Sequence, residues 1–453
     1  MITAFGKLKE GQTEWLITGN ANWAESVFEK FAFKTDIITS DLGREQRRAV
    51  RAEPRRYIRY TCHFTKDAKL YMDYYMANGL TQPTIIPDLR RVLVLKEPTT
   101  PEHRTSGFDA SLTTVTKVGY PTWLKTNMRV VIGKRDQWET RTVESFTTNS
   151  ITFKEERIPH PLAGKPIDPN NPDGDKYPAT KLDGSDFPIN SRVYPAVFGR
   201  FQNTPEADRV TSDVYTMEID FAINPTDMYQ RKTRTGFTIN DNFETQPKFN
   251  VVAGREVLEV PHNWAESKRF TYTDEADVVD YDYGKITTFR KYAFPSRTVT
   301  NSYLLEGVDK IQQFIEFFVR LKGRQREFLV PTYEADVPFN YVLGNGKSIV
   351  MDGLSFGVAY KNSKIYKRIL LQMADGRQFH YKVDFVDTLP ETSSSVLQID
   401  GSLPDELLTP QTILKISWVL VARMGSDEFE VEWLTDTKAR FNISYIVLEN
   451  RDL

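Results

Sequence analysis

Asn22-Trp23-Ala24-Glu25-Ser26 returns as Asn263-Trp264-Ala265-Glu266-Ser267, 241 positions further along the chain. The register then holds without a gap through Asp36/Asp277, Asp41/Asp282, Gly43/Gly284, Ala52/Ala293, Pro54/Pro295 and Arg56/Arg297. Over 22–60 against 263–301 there are 11 identities in 39 positions, where average residue usage gives roughly 2. Apolar character is kept as well, Ile37-Ile38 standing against Val278-Val279. A domain repeated in tandem and filling most of the chain follows. Trp23, Gly43 and Pro54, with twins Trp264, Gly284 and Pro295, are its anchors, and the tryptophans are expected to serve as core or interface contacts.

Working outward, 453 residues leave room for two to four domains, and each repeat is long enough to bury its own core. Lys and Arg number 59 against 61 Asp and Glu, so no global basic excess marks a nucleic-acid binder. An aromatic fraction of 12% with 24 Pro and 24 Gly suits a strand-rich protein with many turns. The single cysteine, Cys62, excludes an internal disulfide and a Cys-rich zinc site. No apolar run marks a signal peptide or a membrane span, so a soluble protein used without export by the usual route is expected.

The elements of one copy are legible. An extended run over 30–39, a turn at Asp41-Leu42-Gly43 and a second extended run broken at Pro54 predict a hairpin and a strand end or bulge. The next strand alternates, Ile58, Tyr60, Cys62 and Phe64 on one face, Tyr57, Arg59, Thr61 and His63 on the other. A helix is predicted over 66–78, with Thr65 as N-cap and Gly79 as stop. In the second copy Ile311, Phe314, Ile315 and Phe318 form the amphipathic stripe ahead of Gly323. Each helix leads into a strand ending in proline, Ile85-Ile86-Pro87 and Leu329-Val330-Pro331, the second copy having gained three residues. Short alternating strands around Gly133 (129–155) and around Gly376 (368–403) predict a small all-β portion in each copy. Closing strands are read at 212–218 and, as their mirror, at 426–432, where Phe429, Val431 and Trp433 alternate with Glu428, Glu430 and Glu432 as in a sheet wet on one side. The stretch 159–188, rich in Pro, Asp, Asn and Gly, reads as a surface insertion of the first copy only. The halves should meet near 225–255.

At this point the ordered motifs resemble the distal tail protein family of long-tailed phages and gene transfer agents. The residues that carry the resemblance are Gly43-Arg44-Glu45-Gln46-Arg47 in the turn, Pro54-Arg55-Arg56-Tyr57 in the strand, the amphipathic helix, Gly323-Arg324-Gln325-Arg326-Glu327-Phe328, and Ser426-Asp427 followed by Phe429, Val431, Glu432 and Trp433. The resemblance implies a mainly β (β-rich α+β) fold of two tandem tail-tube-like β-sandwich or barrel units, each with one flanking α-helix and a small all-β insertion domain. The units would occupy 1–100 and 226–340, the small β domains with closing strands 101–225 and 341–453. It further implies a structural virion protein of the tail tip or baseplate, assembled in the host cytoplasm as a homo-oligomer ring that joins the tail tube protein to the baseplate hub. DNA would pass through the ring without specific binding, and peripheral tail or fibre proteins would dock on the small β domains. The tube-facing surface would come from the hairpin at 30–60 and its twin at 271–301. Two fused units depart from the family, and Lys285-Ile286-Thr287-Thr288 replaces the arginine turn in the second. Three chains with pseudo-sixfold symmetry and six chains both remain open, closed symmetry being expected either way.

Arginines 44, 47, 48, 51, 55, 56 and 59 make the most charged stretch. The plain reading is a solvated hairpin face with ordinary ion pairs. The sharper expectation pairs Arg44, Arg47, Arg48, Arg51, Arg55 and Arg56 of one unit with Asp274, Glu275, Asp277, Asp280 and Asp282 of the neighbouring unit, fixing the order of units around a ring. DNA binding is a third reading, poorly served because stacking aromatics are not regularly interleaved. Glu428, Glu430 and Glu432 read as a wet strand face or as a channel lining whose negative charge lets DNA slide.

Enzymatic readings fare badly. Histidines 63, 103, 160, 262 and 380 are scattered, and no Gly-x-Ser-x-Gly elbow occurs. Gly344-Asn345-Gly346-Lys347-Ser348 lacks the first glycine of a phosphate loop, Tyr341 standing in its place, and predicts a turn. Asp168-Pro169-Asn170 and Asp173-Gly174-Asp175 hint at calcium but miss the EF-hand spacing. No enzyme, cofactor or metal site is expected. The alternative from another class is a tandem carbohydrate-binding β-sandwich for attachment to a host surface, which 7 Trp and 21 Tyr permit.

Overall fold

The computed structural model describes the chain except for residues 1–14, 18–20, 41–44, 52, 67, 70–71, 74–75, 77–83, 101–103, 108–122, 135–136, 156, 160–179, 183–185, 225–248, 274–275, 291–295, 404–412 and 451–453. Its fold is mainly β, in large antiparallel sheets. In the first unit the strands that carry the argument are β1 (Val27–Ala32), β2 (Thr35–Thr39), β3 (Glu45–Ala49), β4 (Arg55–Thr65), β5 (Thr84–Pro87), β6 (Arg129–Lys134), β7 (Gln137–Phe146), β8 (Ser150–Phe153), β9 (Arg192–Phe201), β10 (Ala207–Arg209) and β11 (Val214–Ile223). In the second they are β12 (Arg269–Thr273), β13 (Ala276–Asp280), β14 (Ile286–Arg290), β15 (Ser296–Glu306), β16 (Glu327–Pro331), β17 (Arg368–Met373), β18 (Gln378–Leu389), β19 (Ser394–Ile399), β20 (Ile413–Met424), β21 (Glu428–Trp433) and β22 (Lys438–Val447), with helix α1 (Val308–Leu321) between β15 and β16.

The duplication holds strand for strand. β4 and β15 are both 11 residues long and start 241 positions apart, and the hairpins β2–β3 and β13–β14 keep the same spacing. Leu16 runs parallel to Ile85 as Val257 does to Leu329, and Asn22 N–H reaches Thr61 O as Asn263 N–H reaches Ser302 O, both at 2.8 Å. The small β portions repeat too: β6 and β17 each pair with a hairpin partner, β7 or β18, and with β9 or β20. Gly376 sits in its turn at φ 91°, whereas Gly133 lies inside β6, where an added Cβ would meet the Trp138 ring at 2.1 Å.

β4 buries Ile58, Tyr60, Cys62 and Phe64 and leaves Arg59 exposed, the alternation its sequence dictates. Residues 66, 68, 69, 72, 73 and 76 are helical, while Thr65, expected as an N-cap, closes β4. α1 buries Ile311, Phe314, Ile315 and Phe318 as the stripe predicts and ends on Lys322 in the left-handed region, followed by Gly323 at φ 64°. Gly344–Lys347 forms one helical turn closing a hairpin between Tyr341–Leu343 and Ser348–Asp352, as a turn was expected there.

Two expectations are corrected. The closing strands do not match as 212–218 against 426–432. β11 pairs along β4 as β22 pairs along β15, so Val214 is the twin of Lys438, and β10 is the twin of the end of β21. Ser212-Asp213 lies between β10 and β11, whereas Ser426-Asp427 precedes β21; a recurring Ser-Asp pair, common at turns, set the false register. Of the two roles expected for Trp23 and Trp264, core or interface contact, the core one is corrected, since both are exposed. Their motif is kept by the turn it makes, in which the Asn22 and Asn263 side-chain carbonyls accept the N–H of Ala24 and Ala265.

The two units share one sheet. Its order is β12-β15-β22-β21-β1-β4-β11-β10, the same four-strand sequence twice over. Apolar contacts run through it: Phe31 and Phe33 of unit one pack with Phe429, Phe314 and Phe318 of unit two in one continuous core.

Candidate assembly interface

The seam between the units is where charge collects. β1 and β21 pair antiparallel from Val27 opposite Trp433 to Ala32 opposite Glu428. β1 alternates Val27, Glu29 and Phe31 on its inner face, which places a carboxylate where an apolar residue is expected. Glu29 is buried there with Arg56, Asp88 and Arg90. Arg56 Nε donates to Glu29 at 2.5 Å, Arg90 also donates to Glu29, and Arg90 grips Asp88 with two bonds of 2.8 Å. The four charges cancel formally, and the Trp433 ring of unit two lies 5.4 Å from the Arg90 guanidinium. A buried network of this kind persists only if its members satisfy one another.

Beside the strand pairing, the β2–β3 hairpin leaves its own unit and lies on the other. Glu45 takes two bonds of 2.7 Å from Arg423. Arg47 donates to Glu327 at 2.6 Å and to the Gln325 carbonyl at 3.2 Å, while Arg255 holds the other Glu327 oxygen at 3.1 Å. Asp427 accepts from Thr35 N–H, the Thr35 hydroxyl and Arg324 N–H at 2.7, 2.8 and 2.9 Å, and Arg324 also reaches Thr35 O at 3.1 Å. Partial burial pushes the Asp427 carboxyl up, but the bonds from Arg324 and Thr35 outweigh it and hold the group below the usual range. Gly323 lets the chains approach: a Cβ there would meet Asp427 Oδ1 at 2.6 Å and Phe33 Cβ at 3.1 Å.

The anticipated residues separate on this frame. Arg47 lies in the joint, Arg56 in the buried network, and Arg51 is half-buried with Nη1 3.4 Å from Ala32 O. Arg48 and Arg55 are exposed, Arg48 opposite Asp36 within the hairpin. Arg44, Gly43, Asp274, Glu275 and Pro295 lie outside the described residues, as do the aspartates of 168–175; Pro54 is half-buried and Gly284 turns the β13–β14 hairpin at φ 79°. Asp277, Asp280 and Asp282 are exposed on that hairpin. Among the described residues the arginine hairpin meets unit two at Glu327, not at Asp277, Asp280 or Asp282, because β13, the twin of β2, follows β12 at the far edge of the shared sheet. Glu428, Glu430 and Glu432 line the outer face of the shared sheet against cations: Lys30 at 2.9 Å, Arg59 at 3.3 Å and Arg440 at 2.9 Å.

Sequence reading missed Glu29, Asp88, Arg90, Arg423, Glu327 and the bridging role of Asp427. A charged residue in the inward register of β1 was the one available signal; the rest depend on which strands become neighbours. Among the described residues no group of three His, Cys, Asp or Glu side chains is placed to hold a metal, and no helix is long and apolar enough to cross a membrane. Comparison with protein-family models and with curated proteins finds no match.

Proposed function

We propose that the chain is a structural protein of a phage-type tail tip, built to assemble by its sheet edges into a ring between tail tube and baseplate hub with a passage for DNA. The observation that carries this reading is the joint β1·β21: one unit is continued by the next through strand addition, and the four-strand order repeats in the same sense. Repetition of like surfaces around an axis is how closed assemblies form. The paired glutamate face suits a polar wall that a polyanion passes without sticking. The resemblance in the arginine turn and closing strands points the same way. Imaging by negative stain and mass photometry of the purified chain, alone and with the tube protein of the same source, tests it. Rings with an opening wide enough for a duplex are expected; a chain that stays monomeric in both samples sinks the reading.

The carbohydrate-binding alternative rests on exposed Trp264, whose ring lies 4.1 Å from that of His262 and 5.7 Å from Lys415 Nζ. Saturable glycan binding lost in Trp264→Ala would favour it.

A further inference from the structure

The shared sheet ends on two edges that inside the chain are joined. In the order β12-β15-β22-β21-β1-β4-β11-β10, β1 is the twin of β12 and β21 is the twin of β10. β21 adds to β1, yet among the described residues nothing pairs with the outer edge of β12 or of β10. Both strands are exposed along their whole length.

The side chains carry the same message. Phe31 in β1 is 1% exposed and Glu29 is 2% exposed, whereas their twins in β12, Tyr272 and Phe270, are 63% and 39% exposed. Next to them the β13–β14 hairpin presents Val278, Tyr281, Tyr283, Ile286 and Phe289 to solvent. Its twin, β2–β3, touches the neighbouring unit through Glu45 and Arg47, both half-buried. The twins of those two residues are Ile286 and Thr288, so the second hairpin replaces both charged groups by uncharged ones. Aromatic and aliphatic groups held out on a hairpin mark a docking surface.

We propose that the chain binds a second copy of itself head to tail, β12 of one molecule adding to β10 of the next in the register that β1 and β21 hold internally. Carrying that register across places Arg269 opposite Asp208 and Phe270 opposite Ala207. Opposite charges face each other in the first pair, and the apolar hairpin lies over the end of the neighbour's β9. Pro205, twin of Phe429, has no N–H, so the ladder is confined to the 207–209 end and the hairpin supplies the remaining contact. The contact is heterologous, so it closes into a ring when its rotation closes. The inference rests on the assembly reading above and names the surface that reading requires.

The full chain carrying Arg269→Cys and Asp208→Cys tests it, because directly opposed residues of an antiparallel pair stand close enough for a disulfide and native Cys62 is buried. Oxidation should give multimers of the 52.3 kDa chain that collapse on reduction, with neither single variant doing so. Independently, Arg269→Asp should weaken self-association about tenfold, and adding Asp208→Arg should restore it. Rings that form in the wild type while both the crosslink and the charge swap fail overturn this interface and leave the ring reading standing. A wild-type chain that never self-associates, alone or with the tube protein, overturns both.

Discussion

Thr35 of the first unit gives both its backbone N–H and its hydroxyl to the carboxylate of Asp427 in the second, at 2.7 and 2.8 Å. The same carboxylate takes Arg324 N–H at 2.9 Å, so one side chain ties β2 to the turn after α1 and to the start of β21. Hydrogen bonds to a charged acceptor contribute more than neutral ones, and stranding several donors adds their desolvation cost. Asp427→Ala should therefore lower stability by about 2–3 kcal/mol, and Thr35→Val, which keeps the backbone donor, by about 1 kcal/mol. Urea unfolding of the two variants measures both; equal losses would show that the hydroxyl, not the carboxylate, organises the joint.

Acid should loosen the same contact. Asp427 titrates below its ordinary range in the folded chain. A depressed carboxyl contributes stability that is present above its unfolded pKa, about 3.9, and is lost as pH falls through the folded value. Asp336 is displaced the other way by burial, in spite of bonds from Thr332 and Trp418 N–H, so its ionisation opposes folding as pH rises through the ordinary range. Asp427→Asn should flatten the acid limb of the stability curve, and Asp336→Asn should remove the loss of stability that ionisation of Asp336 imposes between the unfolded pKa and the raised one. Curves parallel to wild type would remove these two groups from the account.

Glu29 and Arg56 test the buried network. Removing one member strands a buried charge, so Glu29→Ala should cost about 3–5 kcal/mol. Replacing the pair by apolar groups of similar size, Glu29→Leu with Arg56→Met, leaves Asp88 gripped by Arg90 and should cost less than the single change. Denaturant midpoints of Glu29→Ala and of the double variant decide, and a double variant that costs as much as Glu29→Ala contradicts it.

The duplication, its spacing, the alternation of β4 and the stripe of α1 were legible because each is local: a repeated motif, a period of two, a period of 3.6. The joint was not. Arg56 read as one arginine among seven, since nothing near it in sequence shows that Glu29, Asp88 and Arg90 enclose it. Glu45 and Arg423 are 378 positions apart, a separation no periodicity reports. The closing strands were misassigned for a related reason. A two-residue Ser-Asp likeness outweighed a pairing register that exists only once β4 and β15 have found their partners.

Cys62 offers a test of whether the two units unfold as one body. It lies in β4 of the first unit, buried, with its thiol pushed up to about 12 by burial, so in the folded chain it is both inaccessible and protonated and should resist thiol reagents at pH 8. Labelling then reports opening of the sheet. Because Phe31, Phe429 and Phe314 belong to one core across the seam, a lesion in unit two should be felt at Cys62. Asp427→Ala, costing about 2 kcal/mol, should raise the labelling rate about 30-fold under conditions where reclosing outpaces the reagent. A rate unchanged by Asp427→Ala, with the variant destabilised by other probes, would mean that the first unit opens independently and that strand addition at β1·β21 does not couple the two.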